Sequence, residues 1–600
     1  MTRRHLRFLL ASAFAALALV VAACGGGDDN SGSSSKSSSP PSGTGSSTPS
    51  GDQAPAKKGG KLTELMSTDV DYLDPGHTYY TQGFQFAYVI GRPLYSFKPS
   101  DAQKPVPDLA ADEPVISADK KTVTIKIRTG VKFGPPVNRA VTSKDVKYAI
   151  ERFFSANVGG QYPGYFQPIV GAPTKPTNGV KPISGITTPD DQTIVFKLKT
   201  ATAAAFVAAL VLPNSIPVPE EYAKPFDAKE QSTYNTHVVS SGPYMVQNDA
   251  KGNLIGYKPG KSISLVRNPN WDPKTDYRPA YLDSIFAKTD ATDANVAARQ
   301  VLDGQSMILD SNPPANILAD VVTKLKDQYQ SIPGGSFRYF PLNTEVKPFN
   351  DINVRRAVMA GFDRDAVRLA RGGKYIGPIA THWLPPDFPG FNEAGGLKGF
   401  EDIDYFSDKN EKGDMAIAAK YFKLAGYKSG KYEGNDQILV VGASTDPGKA
   451  QAEVGAAQLE KMGFKVKLRL VPQDAVYTDW CQVPSKKVGM CGGANWAKDF
   501  ADPESMLEPL FKGSLINRNS GNINYSMLND PKVDRAMDAA ALLVGEPRLK
   551  AWAAIDKMII EDAAAIPFVW DSTTVIRSKN VNGVGNPYST VWDLAFTSIK

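Results

Sequence analysis

Apolar residues alternate with polar ones from Thr122 to Arg128, putting Val123, Ile125 and Ile127 on one face of a half-buried strand. Thr142-Ser143-Lys144-Asp145 then opens a helix with a capping-box pattern, and Val146, Ala149, Ile150 and Phe153 form its apolar stripe. Alternation returns over Thr193–Lys199 through Ile194, Phe196 and Leu198. Further on, Asp414 to Ala425 has helical periodicity and stops at Gly426. Ile438–Val441 is a short continuous apolar strand. Ala452, Ala456 and Leu459 recur at helical spacing before Gly463, and Val466, Leu468 and Leu470 alternate again. Strand, helix and strand in that order predict a parallel βαβ unit. The folded part is therefore mixed α/β.

The first 60 residues follow none of these periods. Arg3, Arg4 and Arg7 precede an apolar run from Phe8 to Ala23, interrupted by Ser12. The run is shorter than the roughly 20 residues a membrane-spanning helix needs, and it has the layout of an export signal. Its ending, Val21-Ala22-Ala23-Cys24, resembles the bacterial lipobox, in which the cysteine is diacylated and becomes the new N-terminus. A plain signal peptide or an uncleaved anchor is the alternative. Thr2-Arg3-Arg4 leaves Sec and twin-arginine export both open. Residues 25–60 are almost wholly Gly, Ser, Pro, Asp, Thr and Lys, a composition that buries too little to fold. As a coil this tether reaches roughly 30–35 Å. The expected location is the outer face of a membrane, lipid-anchored and extracytoplasmic.

Over 600 residues, 42% hydrophobic and 22% charged residues allow a sizeable core. The net charge of +6 is mild, and no basic block is interleaved with aromatics, so nucleic acid is not indicated. With Cys24 assigned to lipid, Cys481 and Cys491 remain in an oxidising compartment. A Cys481–Cys491 disulfide is expected, closing a loop with nine residues between them, and a pair of free thiols or a metal site is the alternative. The four histidines (His5, His77, His237, His382) are scattered, which disfavours zinc.

The chemistry concentrates between Cys481 and Pro503, where a Gly-Gly turn precedes Trp496, Asp499, Phe500 and Asp502. An aromatic wall beside a carboxylate suits a cationic or amine-bearing ligand. Trp496 reads equally as core. Asp502 before Pro503 and Glu504 reads as a helix N-cap, where Asn should substitute with little effect. Catalytic patterns are missing: Gly442-Ala443-Ser444-Thr445-Asp446 breaks a nucleophile elbow at its last position, and no metalloprotease helix, P-loop or dinucleotide fingerprint occurs. Asp112-Glu113 and Asp190-Asp191 sit in turn-like contexts beside prolines. No enzyme activity and no cofactor are expected.

Several segments, in order, resemble the peptide/nickel family of bacterial ABC-transporter solute-binding proteins. They are Leu73-Asp74-Pro75, Arg92-Pro93-Leu94-Tyr95, Pro107-Asp108-Leu109-Ala110, Ile127–Phe133 with Thr142–Val146, Ser241–Tyr244, Arg267–Trp271 and Phe340–Arg364. Gly134-Pro135-Pro136 and Val239-Ser240-Ser241 depart from the family's usual steps. The resemblance covers roughly residues 61–600. It implies a two-lobed periplasmic-binding-protein type II fold that closes around a solute by hinge motion. The expected division is signal peptide 1–23, lipid-anchored linker 24–60, lobe I from 61–95, 235–336 and 566–600, an extra domain 96–234 packed on lobe I, and lobe II 337–565.

In peptide-binding members a W-x-x-D segment supplies an aspartate for the peptide's free α-amine. Trp496-Ala497-Lys498-Asp499 falls on it, which gives Asp499 that role, with Lys498 as a competing partner. Tyr80, Gln82 and Gly83 fall near the family's first-lobe contact loop, and Asn343 and Trp383 are second-lobe candidates. The implied function is capture of peptides by a monomeric protein and delivery to a membrane permease driven by cytoplasmic ATPases. A non-peptide solute (metal chelate, opine or oligosaccharide) and a signalling surface lipoprotein are the alternatives.

Overall fold

The computed structural model of the chain describes residues 56–600, apart from 162 and 520. Cys24, the leader and most of the tether lie outside the described residues. Lys61–Met66 is the strand from which the largest sheet is built. It pairs in parallel with Ser284–Lys288 on one side and Ile308–Asp310 on the other. Beyond Ile308–Asp310 come two 13-residue antiparallel strands, Ala565–Arg577 and then Tyr329–Pro341. Ala494–Ala497 closes that edge of the nine-stranded sheet.

The two long strands carry the chain between two hydrophobic cores. Ile332 and Val575 pack with Leu62, Ile308 and Trp592. Further along the same strands, Phe337, Tyr339, Phe568 and Trp570 pack with Trp383 and Trp496. The register slips between Ile332 and Ser336, at the Pro-Gly-Gly of 333–335. Gly335 sits there at φ +51°, where a side chain would be strained.

Thr122–Lys126 and Thr193–Lys197 pair antiparallel in a separate four-stranded sheet, with Ile125 opposite Ile194. The helix expected after Thr142 spans Ser143–Phe153, and the Asp145 carboxylate accepts the Thr142 N–H at 2.8 Å. At its far end Arg152 is fully buried. Its guanidinium donates to Asp74 at 2.6 and 2.8 Å and to Asp227 at 2.6 and 2.7 Å. Asp108 is buried likewise and accepts from Arg92 at 2.7 Å and from Arg278. The charged positions of the Leu-Asp-Pro, Arg-Pro-Leu-Tyr and Pro-Asp-Leu-Ala segments are thus interior ion pairs, which need full pairing to be tolerated.

The βαβ unit forms as its pattern predicts. Gln437–Ala443 runs parallel to Lys465–Val471 and to Met490–Cys491, with the helix Gly448–Lys461 between the first two. That helix seats so closely that a Cβ on Gly442 would lie 2.2 Å from the Ala452 methyl. Met415–Leu424 is the other expected helix, capped by the Asp414 carboxylate. Among the described residues, no helix is long and apolar enough to cross a membrane.

Candidate functional site

The loop before helix Thr81–Ile90 is wrapped around one half-buried carboxylate. Asp71 accepts the backbone N–H groups of Tyr72 (2.8 Å), Tyr79 (2.6 Å) and Tyr80 (3.1 Å) and the Thr78 hydroxyl (2.7 Å). Burial raises its pKa to about 6 despite these four donors. The result is a rigid presentation of Tyr79 and Tyr80.

Facing them, Ala494–Ala497 pairs antiparallel with Ser336–Tyr339, so the strand's direction is set by the sheet. Trp496 hydrogen-bonds the Ser505 carbonyl through Nε1 (2.8 Å), and its ring centroid lies 6.1 Å from that of Tyr79. Past the strand, Asp499 is 5% exposed. Its Oδ2 accepts the hydroxyls of Tyr79 (2.8 Å) and Tyr165 (2.7 Å), and its backbone carbonyl accepts that of Tyr588 (2.7 Å). Oδ1 accepts no hydrogen bond from the described residues. Burial pushes the carboxyl up to about 7, and the two phenols lower it only in part. A carboxylate in this setting is short of positive charge, and an ammonium on the Oδ1 side would supply it.

Lys498 does not supply that charge. Its side chain points away from Asp499 and donates to the carbonyls of Gly334 (2.9 Å) and Pro587 (2.7 Å). Tyr80 is half-buried at the helix N-terminus with its ring 6.1 Å from Tyr477. Gln82 is half-buried, and its Oε1 meets the Thr81 hydroxyl at 3.2 Å.

Three expected contacts have other work. Gly83 is a packing position: a Cβ there would fall 1.9 Å from Thr78 Oγ1 and 2.5 Å from Asp71 Oδ1, so glycine is needed to seat the loop. Asn343 spends its amide on the Val488 carbonyl and its oxygen on the Glu345 N–H, each at 3.0 Å. Trp383 is fully buried among Phe337, Tyr339 and Phe511, a core residue rather than a wall of the site. Asp502 is the N-cap expected, accepting the Glu504 N–H at 2.9 Å. It also holds Arg548 through both oxygens at 2.8 Å, so Asn would keep the cap and lose an ion pair.

Tyr79, Tyr165, Tyr477, Tyr525 and Tyr588 went unread in the sequence. Tyr477 stacks 6.0 Å from Tyr525 on the turn Val476–Cys481, and Cys481 is joined to Cys491 with Cα atoms 6.2 Å apart. Among the described residues no cluster of three metal-ligating side chains occurs.

Comparison with known proteins agrees with this architecture. The sequence profile of the bacterial extracellular solute-binding proteins, family 5 (middle), matches residues 104–517. The oligopeptide-binding protein OppA of Bacillus subtilis is 24% identical over 481 residues, 78% of this chain and 81% of the relative. Heme-binding protein A of Haemophilus influenzae is 26% identical over 488 residues, 79% and 80% of the two chains. The solved structure of clavulanic acid biosynthesis oligopeptide binding protein 2 superposes with a TM-score of 0.76 at 25% identity, covering 90% of this chain and 96% of that one. Its fold is the two-lobed type II periplasmic-binding-protein fold, and the chain belongs to the bacterial extracellular solute-binding proteins of family 5.

Proposed function

We propose that this protein captures peptides outside the cytoplasm and hands them to an ABC permease powered by cytoplasmic ATPases. The observation that carries the reading is Asp499, a buried carboxylate with one oxygen held by Tyr79 and Tyr165 and the other accepting no hydrogen bond from the described residues. A peptide's α-ammonium on that oxygen would make a charge-assisted bond, with Trp496 and Tyr80 as neighbouring walls. Lobe I (61–95, 235–336, 566–600), with the extra domain 96–234 on it, closes against lobe II (337–565). Closure is stabilised by contacts the open form lacks. The protein acts as a monomer, does no chemistry of its own, and is held at the membrane through diacylated Cys24.

Titration calorimetry with an unmodified tetrapeptide and its N-acetylated form tests this. Wild type should bind the free-amine peptide and bind the acetylated one poorly. Asp499→Asn should weaken the free-amine peptide by about 30-fold or more, because a desolvated ammonium loses its partner. Equal binding of both peptides, or an undiminished Asp499→Asn, would overturn the peptide reading. A non-peptide solute would then be preferred, a reading supported by the similarity to a relative named for heme binding.

A further inference from the structure

Lys498 and Asp499 are consecutive, yet their side chains leave the strand end in opposite directions and do different work. The Lys498 side chain enters the interior where the long strands cross between cores. It is 7% exposed, and its ammonium forms no ion pair among the described residues. Both of its bonds go to backbone carbonyls, Gly334 at 2.9 Å and Pro587 at 2.7 Å, while its own N–H donates to Gly335 O at 3.1 Å. Gly335 is kept bare for it: a Cβ there would lie 3.0 Å from Nζ and 3.1 Å from Cδ.

On the division proposed above, Lys498 belongs to lobe II, whereas both carbonyls its ammonium holds, Gly334 and Pro587, belong to lobe I. Lys498 lies two residues after Trp496, which is part of the core built around Phe337, Tyr339 and Trp570. Pro587 lies in a segment fixed by Trp592, which is part of the core of Leu62, Ile308 and Val575. Gly334 is in the bulge between the two. Next in sequence to Pro587, Tyr588 donates to the Asp499 carbonyl at 2.7 Å. Rotation of one core against the other therefore strains the Lys498 bridge and the backbone of Asp499 together.

We propose that Lys498 is a closing clasp, a positioning residue of lobe II whose bonds to the Gly334 and Pro587 carbonyls of lobe I are completed when the lobes come together and set how long the closed form lasts. An uncompensated buried cation is a costly device, since burial alone brings the Lys498 ammonium down to about 7. Removing it leaves two buried carbonyls without that donor, and the closed form bears the loss.

The inference rests on the closure proposed above, and its test does not require that the ligand be a peptide. Small-angle scattering of the ligand-free full chain compares wild type, Lys498→Met and Lys498→Gln. Lys498→Met should shift the ensemble to a larger radius of gyration, with Lys498→Gln, which retains a donor, between it and wild type. Stopped-flow binding of tetra-alanine should show release about ten-fold faster in Lys498→Met, with the association rate unchanged. An unchanged or smaller radius in Lys498→Met overturns the clasp, as does a loss carried by association rather than release. If wild type does not bind tetra-alanine, the peptide reading fails and the scattering comparison decides the clasp alone. If Lys498→Met does not fold, Lys498→Gln carries the same comparison.

Discussion

Asp499 is placed where ionisation is unfavourable, and that gives the ligand-free protein a characteristic pH dependence. Its ordinary value is 3.8, and in the folded protein burial raises it to about 7. A carboxyl shifted upward binds more protons when folded across that interval, so it lowers stability progressively as pH rises from about 4 to 7. Asn at this position can still accept from Tyr79 and Tyr165 and does not titrate. Asp499→Asn should therefore match wild type in denaturant midpoint near pH 4 and exceed it above pH 7, by an amount on the order of a few kcal/mol. Lys498, whose shift lies on the alkaline side, is common to both proteins and does not enter the difference. Parallel pH profiles for the two would mean that Asp499 ionises freely. If Asp499 holds a ligand's charge as proposed, this weakening of the fold is the expected cost.

At the scale of elements, buried ion pairs lock the smaller sheet onto the rest. Arg152 ends the helix Ser143–Phe153 and joins Asp74, ahead of the site loop, to Asp227, with its guanidinium 4.9 Å from the Tyr234 ring. Arg152→Met strips two buried carboxylates of their cation and should cost about 3–5 kcal/mol, read from the urea midpoint. A loss under about 1 kcal/mol would show that water or rearrangement replaces the guanidinium. The disulfide stabilises a different element. Cys481 and Cys491 lie among Val441, Ala443, Val476 and Val488, and Tyr477 stands one turn before Cys481. Replacing both cysteines by Ser should lower stability by about 3 kcal/mol on the chain-entropy account. Peptide mapping without reductant checks the bond itself.

These elements also show what the sequence could reveal. The βαβ unit and the helix at Met415 were legible through the period of their apolar positions, and the helix at Ser143, buried nearly all round, through its capping box and the spacing of its apolar residues. The long strands Tyr329–Pro341 and Ala565–Arg577 were not. One is buried nearly throughout, so alternation fades, and the other contains Pro-Gly-Gly, which reads as a turn where the sheet has a bulge. Asp499 stood out by its position after Trp496. Its partners Tyr79 and Tyr165 lie 420 and 334 residues away, and no local pattern records such a meeting. Trp383 is packed in the core and Asn343 bonds the backbone of Val488 and Glu345, placements that the sequence alone does not reveal.

For the whole molecule, the remaining question is how a compact body with no membrane-crossing helix among its described residues stays near a permease. If Cys24 carries the proposed lipid and residues 25–60 serve as its tether, the body is kept close to the bilayer. Confinement of that kind raises the effective concentration at the permease without any new contact. One acyl chain holds a protein only marginally, whereas two give stable anchoring, so the prediction turns on diacylation at Cys24. Cys24→Ser should abolish detergent-phase partitioning and either release the protein into the medium or leave the precursor unprocessed. Ligand affinity in solution should not change, because residues 25–60 have no composition for folding onto the body. Uptake by cells should fall when the substrate is scarce. A Cys24→Ser protein that is processed normally and still partitions into detergent would refute lipid attachment at this residue.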